Sequence, residues 1–206
     1  IIKGIRAEYG LGEKTIIIQI DNLFELVPGL LPKLEKISHN KDFLNFRYLP
    51  EASSNNPKYD YLWMMKYYFM NDAYERGLLS ENVVWMDFGF DHGGITYSDA
   101  EDYNFLWEYD FKNKIHISCL HDPDSVIGLQ SLQFQDDCVM GCMYGVSREL
   151  VPTFWHLVED AMNALLMLDC MDDDQQLVLM AYKARPEIFE VHVTDWQMIM
   201  KEMGAT

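Results

Sequence analysis

Residues 83–94 read Val-Val-Trp-Met-Asp-Phe-Gly-Phe-Asp-His-Gly-Gly, and this stretch decides the predicted fold. It begins as an apolar run typical of a buried β-strand and then turns into a segment with three glycines. Asp87 stands where the strand ends, and ligands of open α/β sheets collect outside the carboxyl ends of strands. The stretch therefore predicts a site at the rim of a sheet, with glycines that let a ligand approach the backbone. The alternative is that Asp87 only caps a turn, because Asp and Gly are also common loop residues.

The composition is that of an acidic, globular chain. Its 206 residues are 49% apolar, which is enough for a substantial core, and we predict a single domain over residues 1–206. The chain begins at Ile1 in what reads as the end of a helix, so we expect an N-terminal unit to precede it. Sixteen basic and 33 acidic residues give a formal net charge of −17, which disfavours nucleic acid as a partner. A phosphorylated ligand would need a divalent cation or a few local Lys and Arg residues to offset this charge.

Cysteine spacing and hydropathy point to a cytoplasmic protein. Cys138 and Cys142 are too widely spaced for a CxxC zinc or redox motif, so we expect all four cysteines to be reduced thiols. No apolar run approaches the length that spans a bilayer, and nothing resembles a signal peptide. The sequence thus predicts no transmembrane segment.

Strand and helix patterns alternate along the chain. Residues 15–20 predict a strand buried on both faces, and Asp21 directly after it marks the same rim of the sheet as Asp87. Further strands are predicted at 83–87, 114–120, 136–147 and 189–193, helices at 30–37, 59–76, 152–168 and 172–186, and loops at 40–57 and 96–109. This order predicts an α/β fold with a mixed, mainly parallel sheet and helices on both faces.

Several polar residues allow both a structural and a functional interpretation. Lys66, within the apolar helix at 59–76, either extends its stem past aromatic side chains towards solvent or points its charge at a bound phosphate. Gly141 interrupts a strand, where glycine admits a ligand or a bulge. His116 is predicted on the polar face of its strand. His116, His121 and Asp122 could ligate a metal ion, although the last two lie in a turn that reads as solvated.

The aspartates at 172–174 start the last predicted helix. An N-cap and a first turn favour negative charge, so a capping role explains them without any ligand. One aspartate can nevertheless cap the helix while its neighbour faces a cleft.

Three blocks of sequence resemble a known family. They read Tyr-Leu-Trp-Met-Met-Lys at 61–66, Val-Trp-Met-Asp-Phe-Gly-Phe at 84–90 followed by His92-Gly93, and a block at 141–151 before a long helix. From Ile-Ile-Ile-Gln-Ile-Asp-Asn at 16–22 to Asp195-Trp196, nearly the whole chain is similar to the bacterial HtrL/YibB family. That family resembles glycosyltransferases of the GT-A fold and is sometimes encoded near lipopolysaccharide core genes.

The resemblance implies a function and a location. The function would be transfer of a sugar from a nucleotide-sugar donor to a saccharide hydroxyl, in the synthesis of lipopolysaccharide or another surface polysaccharide. The location would be the cytoplasm, with peripheral attachment to the inner membrane left open.

The resemblance also implies a metal site. Asp87 matches the first Asp of an Asp-x-Asp motif, Gly89 stands at the second position, and Asp91 is the nearest substitute. A late histidine completes such sites, and His192 has a comparable position, although a core or surface histidine is an equal alternative. These oxygen and nitrogen ligands would hold Mn²⁺ or Mg²⁺, which stabilises the departing diphosphate.

Catalytic and donor-binding residues follow from the same resemblance. Asp174, and next to it Asp173, match an acceptor-side acidic cluster in which a carboxylate accepts the hydroxyl proton or orients the sugar. Lys66 would contact phosphate, Gly141 would line the sugar pocket, and Asp21 would lie at the donor side of the rim.

Two other interpretations stay open. Because Gly89 replaces the second Asp, the chain could keep a GT-A-like fold and bind a nucleotide or a partner without catalysis. A metal-dependent phosphoesterase is the third interpretation, but no dense cluster of His and Asp favours it.

Overall fold

Helices pack against one four-stranded sheet in the computed structural model, which describes residues 1–90, 109–195 and 198. The helices are α1 (Ile2–Glu8), α2 (Leu30–Ser38), α3 (Lys41–Phe46), α4 (Pro57–Glu75), α5 (Gly128–Phe134), α6 (Val151–Met167) and α7 (Asp174–Ala184). The strands are β1 (Asn82–Met86), β2 (Ile115–Cys119), β3 (Met143–Ser147) and β4 (Phe189–Val193). The predicted α/β class is confirmed. Asp91 and residues 96–108 of the predicted loop lie outside the described residues.

The sheet is mixed, as predicted, but it is not mainly parallel. Its strand order is β1-β3-β2-β4. β3 runs antiparallel to both of its neighbours, with Val83 opposite Val146 and Ile115 opposite Val146, and only β2 and β4 pair in parallel. The prediction of a mainly parallel sheet was wrong because alternating strand and helix patterns do not determine strand direction.

The segment at 15–20 is not a strand of this sheet. Its isoleucines at positions 16, 17, 18 and 20 are between 37% and 65% exposed, so the predicted buried strand is wrong for this structure. A high β-propensity produces a strand only where a neighbouring strand accepts and donates the backbone hydrogen bonds, and no described strand pairs with this segment.

The main helices follow the sequence patterns closely. α4 begins after Asn56, whose side-chain oxygen accepts hydrogen bonds from the amides of Lys58 and Tyr59 at 3.0 and 3.3 Å. The chain turns after α4 at Gly77, which has a φ of 66°. α3 was missed, because its six residues lie in a segment that reads as loop and bury only Phe43.

Most of the core lies on one face of the sheet, where α2, α4, α6 and α7 pack. A smaller apolar cluster covers the other face, and its residues are Phe90, Phe111, Met140, Cys142 and Met143. Within the described ranges this second cluster contains no helical residue, so the expected covering of both faces by helices is not seen there. None of the helices in the described part of the chain combines the length and hydropathy needed to span a bilayer.

Candidate functional site

Lys66 of α4 lies at the centre of the candidate site. Its Nζ donates hydrogen bonds to the carbonyl oxygen of Gly141 at 2.7 Å, to Oδ2 of Asp174 at 2.9 Å and to Oδ2 of Asp87 at 3.1 Å. The side chain is only 3% exposed, and its ammonium lies 3.7 Å from the ring centroid of Trp63. Lys66, Asp87, Gly141 and Asp174 are called the lysine centre below. The buried ammonium does not extend towards solvent, so that interpretation of Lys66 is wrong, whereas its contact with a phosphate stays a prediction.

Asp87 is the carboxylate of the lysine centre nearest to solvent. Its side chain is 17% exposed, compared with 5% for Asp174. Oδ1 accepts a hydrogen bond from Nε1 of Trp85 at 2.8 Å, and the backbone amide of Asp87 donates to the carbonyl of Cys142 at 2.9 Å. The side chain therefore binds an indole and an ammonium, which is more than the capping of a turn requires.

Asp174 lies deeper, at the start of α7. Its Oδ2 accepts hydrogen bonds from Lys66, from the hydroxyl of Tyr144 at 3.0 Å and from the hydroxyl of Tyr67 at 3.3 Å. Burial raises the pKa of Asp174, and the neighbouring Lys66 ammonium opposes this rise. Burial and the Asp174 charge raise the pKa of both tyrosines, so their hydroxyls stay protonated and can donate.

Gly141 approaches the lysine centre so closely that no larger residue fits. A Cβ at this position would lie 2.7 and 2.9 Å from the two carboxylate oxygens of Asp174. From the sequence, we predicted that the glycine here would admit a ligand or allow a bulge in the strand. The structure shows instead a close approach of backbone to a buried side chain.

Gly141→Ala is expected to lower the free energy of unfolding by about 1–3 kcal/mol, because Asp174 must move away from Lys66 to make room for the methyl group. Chemical denaturation monitored by tryptophan fluorescence measures this change. Gly128→Ala is the matched control, since Gly128 lies in helix α5 and a Cβ there has no atom of the described residues within 4 Å. Equal stability of the two variants would contradict the close approach.

An aromatic pocket opens beside Asp87. It has a volume of about 290 Å³ and is lined by Leu62, Trp63, Lys66, Phe69, Trp85, Asp87, Phe88 and Gly89. Phe88 is fully exposed at its mouth. Aromatic walls with a few placed polar groups are typical of sites for small organic ligands, and the volume is at the lower end of their size range. The pocket therefore suits one ring of a ligand with a polar substituent directed at Asp87.

Asp173 belongs to a different environment from Asp174. It is the N-cap of α7, accepting a hydrogen bond from the amide of Gln175 at 3.1 Å, which confirms the capping interpretation. With Asp172 and Asp137 it lines a small polar cavity of about 20 Å³, roughly the space of one water. Burial, and then the charges of Asp174 and Asp172, raise the pKa of Asp173 well above its usual range.

His192 lies on the opposite face of the sheet from the lysine centre. Phe189 and Val191 of β4 pack into the main core, so alternation along the strand directs His192 to the other face. There its Nε2 lies 3.0 Å from Nδ1 of His116, whose Nε2 lies 2.9 Å from the carbonyl oxygen of Phe111. His116 is fully buried, so its predicted polar-face position is wrong. Burial lowers the pKa of His116, which favours the neutral ring, and the Phe111 carbonyl, which can only accept, places the proton on Nε2.

The structure thus brings together only part of the predicted site. Lys66, Asp87, Gly141 and Asp174 meet, whereas His192 is on the other face and Asp21 is exposed outside the lysine centre. Trp63 and Trp85 were missed. Their signals were local, since Trp63 precedes Lys66 by one helical turn and Trp85 shares a strand face with Asp87. Tyr67 and Tyr144 had no comparable signal.

A divalent cation does not fit Asp87 as the described residues are arranged. Both carboxylate oxygens already accept hydrogen bonds, from Lys66 and Trp85, and the second motif position is Gly89. In the parts of the chain that the structure describes, no three His, Cys, Asp or Glu side chains are placed to hold a metal ion. Asp91, the predicted substitute ligand, is outside those parts.

Fold and site together define an α/β protein with a buried ion-pair centre beside an aromatic pocket. Residues 1–203 match a family described as "Bacterial protein of unknown function (HtrL_YibB)", and the chain belongs to this family, as its sequence blocks predicted. Protein HtrL of Escherichia coli (strain K12) is 25% identical over 186 residues, which cover 86% of this chain and 63% of that protein. The chain therefore spans less than two thirds of this relative. No solved structure matches the chain, so the GT-A part of the predicted fold stays a prediction.

Proposed function

We propose that this chain acts in a glycosyltransferase that uses a nucleotide-sugar donor and a saccharide acceptor. The observation that carries the proposal is the aromatic pocket with the Asp87 carboxylate on its wall. A nucleobase stacks on aromatic side chains, and the C–H face of a sugar ring packs on them in a similar way. Sugar hydroxyls donate hydrogen bonds to carboxylates. Membership of the HtrL/YibB family, with its resemblance to GT-A enzymes, agrees with this reading of the pocket.

Asp87 is our choice for the proton acceptor. As the acceptor hydroxyl oxygen bonds to the anomeric carbon, the bond from that carbon to the diphosphate breaks, and its electron pair leaves with the nucleoside diphosphate. The hydroxyl proton passes to the Asp87 carboxylate. Asp87 suits this role better than Asp174 or Asp173, because it alone of the three lines the aromatic pocket. Asp174 then positions Lys66, and Asp173 caps α7.

The acceptor we infer is a saccharide of the bacterial surface, such as lipopolysaccharide. This follows from the family resemblance, since a pocket of about 290 Å³ admits many single rings.

A second candidate is a protein that binds a nucleotide sugar without turnover. The contacts of Asp87 favour it, because both of its carboxylate oxygens already accept hydrogen bonds, from Lys66 and from Trp85. The two candidates make the same binding prediction and differ only in release of the nucleoside diphosphate.

The experiment is a thermal-shift screen of UDP-, GDP- and CMP-sugars, followed by an assay of nucleotide release with a saccharide acceptor. We expect one donor to raise the melting temperature. Phe88→Ala should weaken this binding by about 1–3 kcal/mol, the range for loss of one stacking contact. Phe88 is exposed, so its loss should leave folding intact.

Tyr9→Ala is the matched control, because Tyr9 is another exposed aromatic residue and does not line the pocket. Asp87→Asn should keep binding and lose turnover. A donor that binds Phe88→Ala as tightly as the unchanged chain would place the site elsewhere. Binding without release would select the second candidate.

A further inference from the structure

We propose that the Lys66 ammonium takes the place of a divalent cation at Asp87, so that the site carries its own covalently attached cation. The three oxygens around Nζ are two carboxylate oxygens and one backbone carbonyl oxygen, at 2.7 to 3.1 Å. These are the hard oxygen donors that Mg²⁺ and similar ions bind, but at the distances of ammonium hydrogen bonds. An ammonium has three protons, and each has an acceptor here.

Burial and packing prevent Lys66 from yielding its place to a metal ion. Its side chain is 3% exposed, and the neighbouring Met65 and Tyr67 of α4 are fully buried. The ring of Trp63 covers the ammonium from one side. The ammonium therefore has its hydrogen bonds satisfied where it lies, and a divalent ion beside it would meet a like charge at short range.

The sequence around Asp87 agrees with the proposal that the Lys66 ammonium replaces a metal ion. Gly89 stands where a second carboxylate of an Asp-x-Asp motif would be, and a Cβ built there has no atom of the described residues within 4 Å. Crowding by these residues thus does not explain why position 89 carries no side chain. Lys66 already pairs with two carboxylates, Asp87 and Asp174, and a third carboxylate at position 89 would add negative charge that this one ammonium does not balance.

The ammonium would then supply the positive charge beside the departing diphosphate, a role that rests on the proposed function. Displacement of metal from Asp87 does not depend on that function and can be tested without any nucleotide.

The test is titration of the full chain with Mn²⁺ alone, measured by calorimetry and by loss of the electron paramagnetic resonance signal of free Mn²⁺. We expect the unchanged chain and Asp87→Asn to bind Mn²⁺ equally, through acidic groups elsewhere. Lys66→Ala should gain a site that disappears again in Lys66→Ala/Asp87→Asn. Lys58→Ala, at an exposed lysine of the same helix, should gain none.

A Mn²⁺ site in the unchanged chain that Asp87→Asn removes would overturn the proposal. A folded Lys66→Ala that gains no Asp87-dependent site would overturn it as well. If Lys66→Ala does not fold, the comparison of the unchanged chain with Asp87→Asn decides alone. Failure of the nucleotide-sugar screen would bear on the proposed function and leave these titrations unaffected.

Discussion

Lys66→Met is expected to lower the free energy of unfolding by about 3–5 kcal/mol and to abolish ligand binding in the aromatic pocket. The substitution keeps most of the side-chain volume but removes the cation that Asp87 and Asp174 share. Both carboxylates would remain in a low-dielectric environment without a counter-ion. Urea unfolding at neutral pH measures the loss.

The pH dependence of this loss follows from its cause. Without the ammonium, the pKa of Asp174, already raised by burial, would rise further. When the pKa of a carboxyl group is higher in the folded than in the unfolded protein, the folded protein loses stability as the pH rises from the lower to the higher of these two values. The penalty of Lys66→Met should therefore be largest at neutral pH and shrink in mild acid. Adding Asp174→Asn should recover part of it, because one uncompensated charge is removed.

Lys58→Met is the control for this prediction. Lys58 is exposed on the same helix, and its replacement should change stability by less than about 0.5 kcal/mol. A Lys66→Met variant as stable as Lys58→Met would show that the lysine centre contributes nothing to folding.

Arg47→Met is expected to lower the free energy of unfolding by a similar amount, about 3–5 kcal/mol, because it breaks a second buried ion pair. Arg47 is 4% exposed and donates to Oδ2 of Asp172 and the carbonyl of Leu132, each at 2.6 Å, and to Oγ of Ser54 at 2.9 Å. Its loss would leave Asp172 buried without a cation. Fully buried Asp60 nearby has no hydrogen-bond partner for either carboxylate oxygen among the described residues.

Burial, together with Asp172 and Asp173, raises the pKa of Asp60 well above its usual range, and Arg47 opposes that rise. Stability should therefore fall as the pH rises through the window above the unfolded pKa of Asp60, and more steeply in Arg47→Met. Chemical denaturation across this window provides the measurement. Arg76→Met is the control, because the pair of Arg76 with Asp72 is solvent-exposed and contributes about 0–1 kcal/mol. Equal losses for the two arginine variants would contradict the prediction.

Local signals accounted for much of the fold. α2 and α4 were predicted to within a few residues, because their apolar residues recur at helical spacing and Gly77 follows shortly after α4. The prediction of a strand at 15–20 was wrong because strand formation depends on more than local sequence. Its β-branched residues favour an extended backbone, but pairing depends on partners elsewhere in the chain, and none of the described strands pairs with it.

The sequence by itself determined that Asp87 ends a strand, that Lys66 lies within an apolar helix and that an aspartate among residues 172–174 caps the last helix, because each is set by residues a few positions away. Only the tertiary structure decided that Lys66 binds Asp87, Gly141 and Asp174, which lie 21, 75 and 108 positions from it. It also placed His192 on the opposite face. Strand order and helix docking minimise the free energy of the whole core, and no local pattern encodes contacts over such separations.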